Sequence, residues 1–98
     1  MILLKRKKQL SHREFKNWWI GEHAKLAIQL PGLKKLCLNP VKDENSIYDG
    51  VAELWFESEE SFNEAYQTDL GRTVAEDSLA HVERRDRLFV DEKELLKL

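Results

Sequence analysis

The sequence predicts an α+β fold, and three observations carry that prediction. Apolar residues recur at helical spacing over one long stretch. They alternate, as in half-buried strands, over several short ones. Capping and turn-forming residues punctuate these stretches in the order strand–helix–strand, loop, strand–helix–strand. At 98 residues the chain fits one domain. Residues 1–98 are expected to form that single domain, with a core over 1–91 and a tail over 92–98.

Ile2–Lys5 reads as a first strand, with Lys7–Leu10 as its exit turn. Ser11, with Glu14 three residues on, matches a capping box, in which each side chain satisfies a free backbone N–H of the other residue. A helix is predicted from there over His12–Leu30. At 100° per residue, Phe15, Trp19, Leu26 and Leu30 fall within an arc of roughly 60°, an amphipathic stripe. Trp18 points about 100° from Trp19, toward the edge of a pocket or a subunit seam. Pro31 cannot continue the helix and Gly32 permits the reversal.

Leu33–Asn39 alternates as a second strand, and Asn39–Gly50 is the longest loop, with Asp49-Gly50 as a turn. Val51–Glu57 is a third strand. Ala52, Leu54 and Phe56 point one way and Val51, Glu53 and Trp55 the other. Ser58 caps a helix whose first turn carries Glu59 and Glu60 at its positive end. Phe62, Ala65 and Tyr66 face inward along that helix, which ends near Thr68. Asp69 is expected to cap a further short helix with Val74, Ala75 and Leu79 on its apolar side. Arg87–Asp91 is predicted as the last strand because it carries Leu88, Phe89 and Val90. Two such halves form split βαβ units, the arrangement of a ferredoxin-like sandwich. Right-handed crossovers place both helices on one face of a four-stranded antiparallel sheet. The bare face, with Glu53 and Trp55, then calls for a second sheet, so a homodimer is expected.

Composition excludes several classes. A net charge of −2 offers no case for nucleic-acid binding. Residues 1–48 hold ten Lys/Arg against four Asp/Glu, and residues 49–98 six against fourteen, as two oppositely charged solvated faces do. Lys5-Arg6-Lys7-Lys8 stands without a second basic block and reads as a polar strand end. Cys37 is alone, which rules out an intrachain disulfide and a multi-thiolate metal site, and its alternation with leucines marks it as inert. His12 and His81 share no ligand spacing with His23, so no metal is expected. With no membrane-length apolar run and too short an apolar start for a signal peptide, a cytoplasmic protein is the expectation.

The segments Arg13–Trp19, Glu22-His23-Ala24, Leu30-Pro31-Gly32-Leu33 and Tyr48–Phe56 resemble the blocks of the EthD-like family, with Gly71–Ala75 similar to a third. The resemblance spans nearly the whole chain. It implies the dimeric α+β barrel, in which ferredoxin-like subunits join sheet to sheet and a ligand pocket lies between helices and sheet. Relatives include small lactone isomerases, polyketide cyclases or dehydratases, and cofactor-free oxygenases. The implied function is therefore a cofactor-independent isomerase, cyclase or dehydratase acting on a cyclic or aromatic metabolite.

Within that frame His23 is the candidate catalytic residue. It lies about 80° from Phe15 on the helical wheel, at the border of the buried stripe. An imidazole moves protons near neutral pH because its ordinary pKa is about 6.5. The competing reading is a histidine that only hydrogen-bonds a backbone carbonyl at the helix–sheet seam. Trp19, Leu36, Leu54 and Phe56 are the expected walls of an apolar pocket for a small apolar or aromatic ligand. Lactone-isomerising relatives place polar or thiol side chains where this chain has Leu36 and Leu54, a departure that weighs against lactone isomerisation. Glu53 and Trp55 are assigned to the dimer contact, with an Arg or Lys as the carboxylate's partner. A non-catalytic ligand-binding or accessory role in a degradation pathway is the alternative.

Overall fold

A computed structural model describes residues 1–98. Its elements are β1 (Ile2–Arg6), α1 (His12–Trp18), a π-helical turn (Trp19–His23), α2 (Ala24–Ala27), β2 (Lys35–Pro40), β3 (Gly50–Trp55), α3 (Glu59–Gln67), α4 (Asp69–His81) and β4 (Val82–Arg87). The four strands form one antiparallel sheet in the order β2-β3-β1-β4. This is the ferredoxin-like order that the element sequence predicts.

Pairing of Ile2 with Ala52 and of Leu38 with Ala52 puts these side chains on one face of the sheet. Ile2, Leu4 and Ala52 there meet Phe15, Trp19 and Phe62 from the helices, closed at the β4 end by Val82. A second cluster, Ala27, Leu30, Ala65 and Val74, fills the space between the helices. Leu3, Val51, Glu53 and Trp55 are half-buried on the opposite face, which no helix of the chain covers.

The capping box at Ser11 forms as expected, with Glu14 N–H donating to Ser11 Oγ at 3.0 Å and Ser11 N–H donating to Glu14 Oε1 at 2.9 Å. The helix it starts differs from the uniform α-helix over His12–Leu30. A π turn opens the hydrogen-bond ladder by one residue at Trp19–His23, and the helical elements end at Ala27. The wider turn holds residues four apart on one face, so Phe15, Trp19, His23 and Ala27 are all buried. Leu26, assigned to the stripe by the ideal wheel, is half-buried. Gly32 then reverses the chain at φ 80°, conformational space open to glycine.

Three further expectations are corrected. The second strand begins at Lys35 rather than Leu33, because Leu33 N–H still bonds back to Leu30 O. The helix after Thr68 is the longest, with 13 residues, and Thr68 rather than Asp69 caps it. Its buried side is Gly71, Val74 and Ser78, while Leu79 is exposed. Gly71 lets α3 and α4 touch, since an added Cβ would lie 2.1 Å from Ala65 O. The last strand is Val82–Arg87, not Arg87–Asp91, and Leu88, Phe89 and Val90 are exposed beyond it. The apolar triplet marks a strand by composition, yet the sheet edge takes Val-Glu-Arg-Arg-Asp-Arg, whose arginine guanidinium groups lie over the Tyr48, Tyr66 and Phe62 rings. Residues 88–98 carry no regular secondary structure.

Candidate functional site

His23 points into the interior from the π turn, with 6% of its surface exposed. The partners that define its chemistry come from α4. Nδ1 lies 2.8 Å from Asp77 Oδ2, and Nε2 lies 3.4 Å from the Ser78 hydroxyl. A carboxylate accepts, so Nδ1 carries the proton and Nε2 presents its lone pair to the interior. Trp18 Nε1–H donates to the same Asp77 oxygen at 3.1 Å, which fixes the carboxylate from a second side. The Trp18 ring stacks on His81 at 4.0 Å between centroids, and His81 Nδ1–H donates to Asp77 O at 2.7 Å. Imidazole, carboxylate and indole thus form one hydrogen-bonded unit across the junction of the π turn with α4.

Burial lowers the His23 pKa from its ordinary 6.5, and the Arg85 and His81 charges act in the same direction. The Asp77 hydrogen bond and charge oppose this without reversing it. The ring is therefore a neutral base at physiological pH. In the unfolded chain the imidazole takes up a proton near pH 6.5, and in the folded protein only at lower pH. Between those two values the unfolded state binds more protons. This contribution to stability is complete above about pH 6.5 and is lost as pH falls toward the folded value. Urea unfolding at pH 7.5 and pH 5 is expected to show the loss, and a His23→Gln variant should show a smaller one.

The space beside the imidazole is small. A cavity of ≈ 20 Å³ is lined by Trp19, His23, Leu36, Leu54, Tyr66 and Arg85, among others. The site holds no more than about one water molecule, far below the few hundred Å³ of an ordinary ligand pocket. Trp19, Leu36 and Leu54 therefore meet at His23, whereas Phe56 does not line this space. Phe56 lines a second, larger cavity of ≈ 650 Å³ together with Ile2, Leu54, Trp55, Phe62 and the Arg87–Glu92 segment. Ile2 and Leu54 line both, and so partition one from the other.

Glu53 accepts from Asn39 Nδ2 at 2.9 Å, rather than from an arginine or lysine of the chain. Trp55 lies under the Lys35 ammonium at 4.6 Å and donates to Glu92 at 3.2 Å. Asp49 is more than a turn residue. Fully buried, it pairs with Arg6 and with Lys5, which accounts for half of the basic block at Lys5–Lys8. Histidines 12 and 81 bond to backbone carbonyls of Val41 and Asp77, and no three His, Cys, Asp or Glu side chains converge as a metal site.

Asp77, Ser78 and Arg85 were outside the sequence-based candidates. Asp77 and Ser78 fall in a helix read as short, and Arg85 in a strand placed five residues too late. The available signal was phase: Gly71, Val74 and Ser78 recur at helical spacing toward Val82, with Asp77 at the border of that face.

These observations define a ferredoxin-like α+β protein with a buried, aspartate-held imidazole between helices and sheet. The EthD domain model matches residues 7–84, and the chain belongs to the EthD family. Solved structures agree in fold. An EthD-family protein from Bacillus halodurans superposes with a TM-score of 0.69 at 19% identity, covering 90% of this chain and 95% of that one. The Arabidopsis thaliana protein At3g17210 does so with a TM-score of 0.72 at 17% identity, covering 98% and 95%. No curated protein matches the chain. No helix is long and apolar enough to cross a membrane.

Proposed function

We propose that this chain is a cofactor-independent enzyme that isomerises, cyclises or dehydrates a cyclic or aromatic metabolite, with His23 as its proton carrier. The observation that supports the reading is the His23–Asp77 pair. A buried imidazole whose Nδ1–H is held by a carboxylate has a defined tautomer, and its Nε2, touched only by the Ser78 hydroxyl at 3.4 Å, is a base poised below neutral pH. Nε2 removes a proton from a carbon beside a carbonyl and returns it elsewhere on the ring, while Asp77 stabilises the imidazolium formed in between. Asp77 is a positioning residue in this scheme. The ≈ 650 Å³ cavity is of the size that accepts a small ring compound, which reaches Nε2 in this scheme once the Ile2 and Leu54 side chains between the two spaces move aside.

Deuterium incorporation from D₂O into a panel of cyclic ketones and lactones, followed by NMR, tests the proton transfer without knowledge of the natural substrate. His23→Ala is expected to slow exchange by about 10²–10⁴-fold. Asp77→Asn should slow it less and flatten its pH profile. Exchange that survives in a natively folded His23→Ala protein defeats the proposal.

The ≈ 20 Å³ cavity at Nε2 favours a second reading, a binding or accessory protein in which the same network is structural. A ligand that co-purifies and stays unchanged on incubation would support it.

Two copies are proposed to join through the bare sheet face around Leu3, Val51, Glu53 and Trp55. Sedimentation equilibrium is expected to give a dimer, and Trp55→Lys to shift it toward monomer. A wild-type monomer at high micromolar concentration would remove this part of the reading.

A further inference from the structure

The helix-facing side of β4 carries two arginines that the proton-transfer scheme does not use. Arg85 pairs with Leu4 and Arg87 with Ile2 in the sheet, so both project over the same face, toward α3. The Arg85 guanidinium lies 5.8 Å from the Tyr66 ring centroid. That of Arg87 lies 4.9 Å from Tyr66 and 5.5 Å from Phe62.

Arg6, Arg72 and Arg84 have carboxylate partners in Asp49, Asp69 and Asp86, and Arg13, which has none, is exposed to solvent. Arg85 and Arg87 have none. Arg85 is half-buried, and the charge acting on it most strongly is that of Arg87, another cation. Guanidinium groups stay protonated in proteins, so the repulsion and the lost hydration are not relieved by proton release. The Tyr66 hydroxyl also makes no hydrogen bond within the chain, and neither it nor either guanidinium is a sealed, orphaned buried group. Three donor groups thus lie at the α3–β4 seam with no acceptor from the chain, the guanidinium groups 5.8 and 4.9 Å from the Tyr66 ring centroid.

Their placement relative to the cavities gives the donors a use. Arg87 lines the ≈ 650 Å³ cavity with Leu54, Phe56 and Phe62, and because Glu53, Glu59, Asp91 and Glu92 also line it, an anion would be held at Arg87 rather than elsewhere in that space. Arg85 and Tyr66 line the ≈ 20 Å³ cavity with His23. Arg87 therefore faces the ring-sized space, and Arg85 adjoins it across the shared Tyr66 ring on the imidazole side.

We propose that Arg85, Arg87 and Tyr66 form a carboxylate-binding subsite, so that the ligand is an anionic ring compound whose carboxylate lies at the α3–β4 seam and whose apolar body fills the larger cavity. A planar guanidinium matches a carboxylate in two parallel hydrogen bonds, and the phenol supplies a further donor. The aromatic faces of Phe62 and Tyr66 hold the guanidinium groups in place without neutralising them. The proposal deepens the reading of the His23 site and rests on it for the reaction, but not for binding.

The test is calorimetric titration of the full chain with 1-naphthoate, 1-naphthyl phosphate and the neutral 1-naphthalenemethanol at low salt. Naphthoate is expected to bind about tenfold or more tightly than the neutral compound, at least as well as the phosphate, and to weaken as salt rises. Arg87→Gln, at an exposed position, is expected to lose about tenfold in naphthoate affinity with an unchanged circular dichroism spectrum, while Arg87→Lys recovers part of it. Equal binding of naphthoate and the neutral compound, preference for the phosphate, undiminished affinity in Arg87→Gln, or no binding by the wild type would each overturn the proposal. Naphthoate affinity that persists in His23→Ala separates the two claims: the subsite then stands whether or not proton transfer does.

Discussion

Asp49→Ala is expected to lower the free energy of unfolding by about 3 kcal/mol, the low end for breaking a buried ion pair. The Asp49 side chain has no exposed surface and holds three groups: the Arg6 guanidinium, the Lys5 ammonium at 3.3 Å and the Arg6 backbone N–H at 3.0 Å. Its own backbone bridges two elements, since Asp49 N–H donates to Leu4 O at 2.7 Å and Asp49 O accepts from Val41 N–H at 2.9 Å. Removing the carboxylate strands a cation pair and a backbone donor at the point where the long loop meets β1. Lys5 and Arg6 keep 25% and 20% of their side-chain surface, so water partly re-solvates them, which sets the low end of the range. Asp49→Asn keeps an acceptor for the Arg6 N–H and is expected to cost less. Urea unfolding at pH 7 measures both, and an Asp49→Ala loss within about 0.5 kcal/mol of zero would show that the network is not holding the loop.

A larger loss, about 3–5 kcal/mol, is expected for Trp19→Ala. Trp19 is 1% exposed and sits at the first residue of the π turn, with Phe15 at 5.5 Å between ring centroids. It lies against Gly50 so closely that a Cβ there would come within 2.7 Å of the indole. Deleting the ring removes contacts to β1, β3 and α1 together and enlarges the hollow beside His23. In a domain of this size the loss corresponds to a fall in melting temperature of more than about 12 °C. An apolar guest such as indole is expected to enter the enlarged hollow and restore part of that stability, because binding to the folded state alone stabilises it. Calorimetric melting with and without indole reads both effects. A Trp19→Ala protein that melts within a degree of wild type would show that the core does not rest on this ring.

The elements that local chemistry specifies were legible in advance. Ser11 and Glu14 form their reciprocal cap, Ser58 caps α3, Gly32 takes the left-handed turn, and Ala52 faces inward from β3. The last strand was not legible, because an edge strand needs little apolar character when arginine guanidinium groups lie over aromatic rings from another element. The strongest apolar triplet nearby, Leu88-Phe89-Val90, lies beyond the strand it was expected to form. Of the candidate site, His23 and its neighbours Trp19, Leu36 and Leu54 could be named from helix phase, strand alternation and family resemblance. Asp77 could not, since it lies 54 residues away on an element whose length was underestimated.

Short-range rules, those of caps, turns and apolar periodicity, act over a few residues and leave their marks directly in the chain order. They settled the strand–helix–strand plan, the antiparallel sheet and the inward stripe that carries an imidazole. Long-range packing decided the rest. The π turn widens the helix so that His23 is carried inside, and α4 brings Asp77 beneath it. Close packing of Trp19 against Gly50 leaves almost no room at the ring, and β4 sets two arginines without counter-ions beside Tyr66. Each of these depends on which surfaces meet after the chain has folded back on itself, and no window of neighbouring residues contains that information.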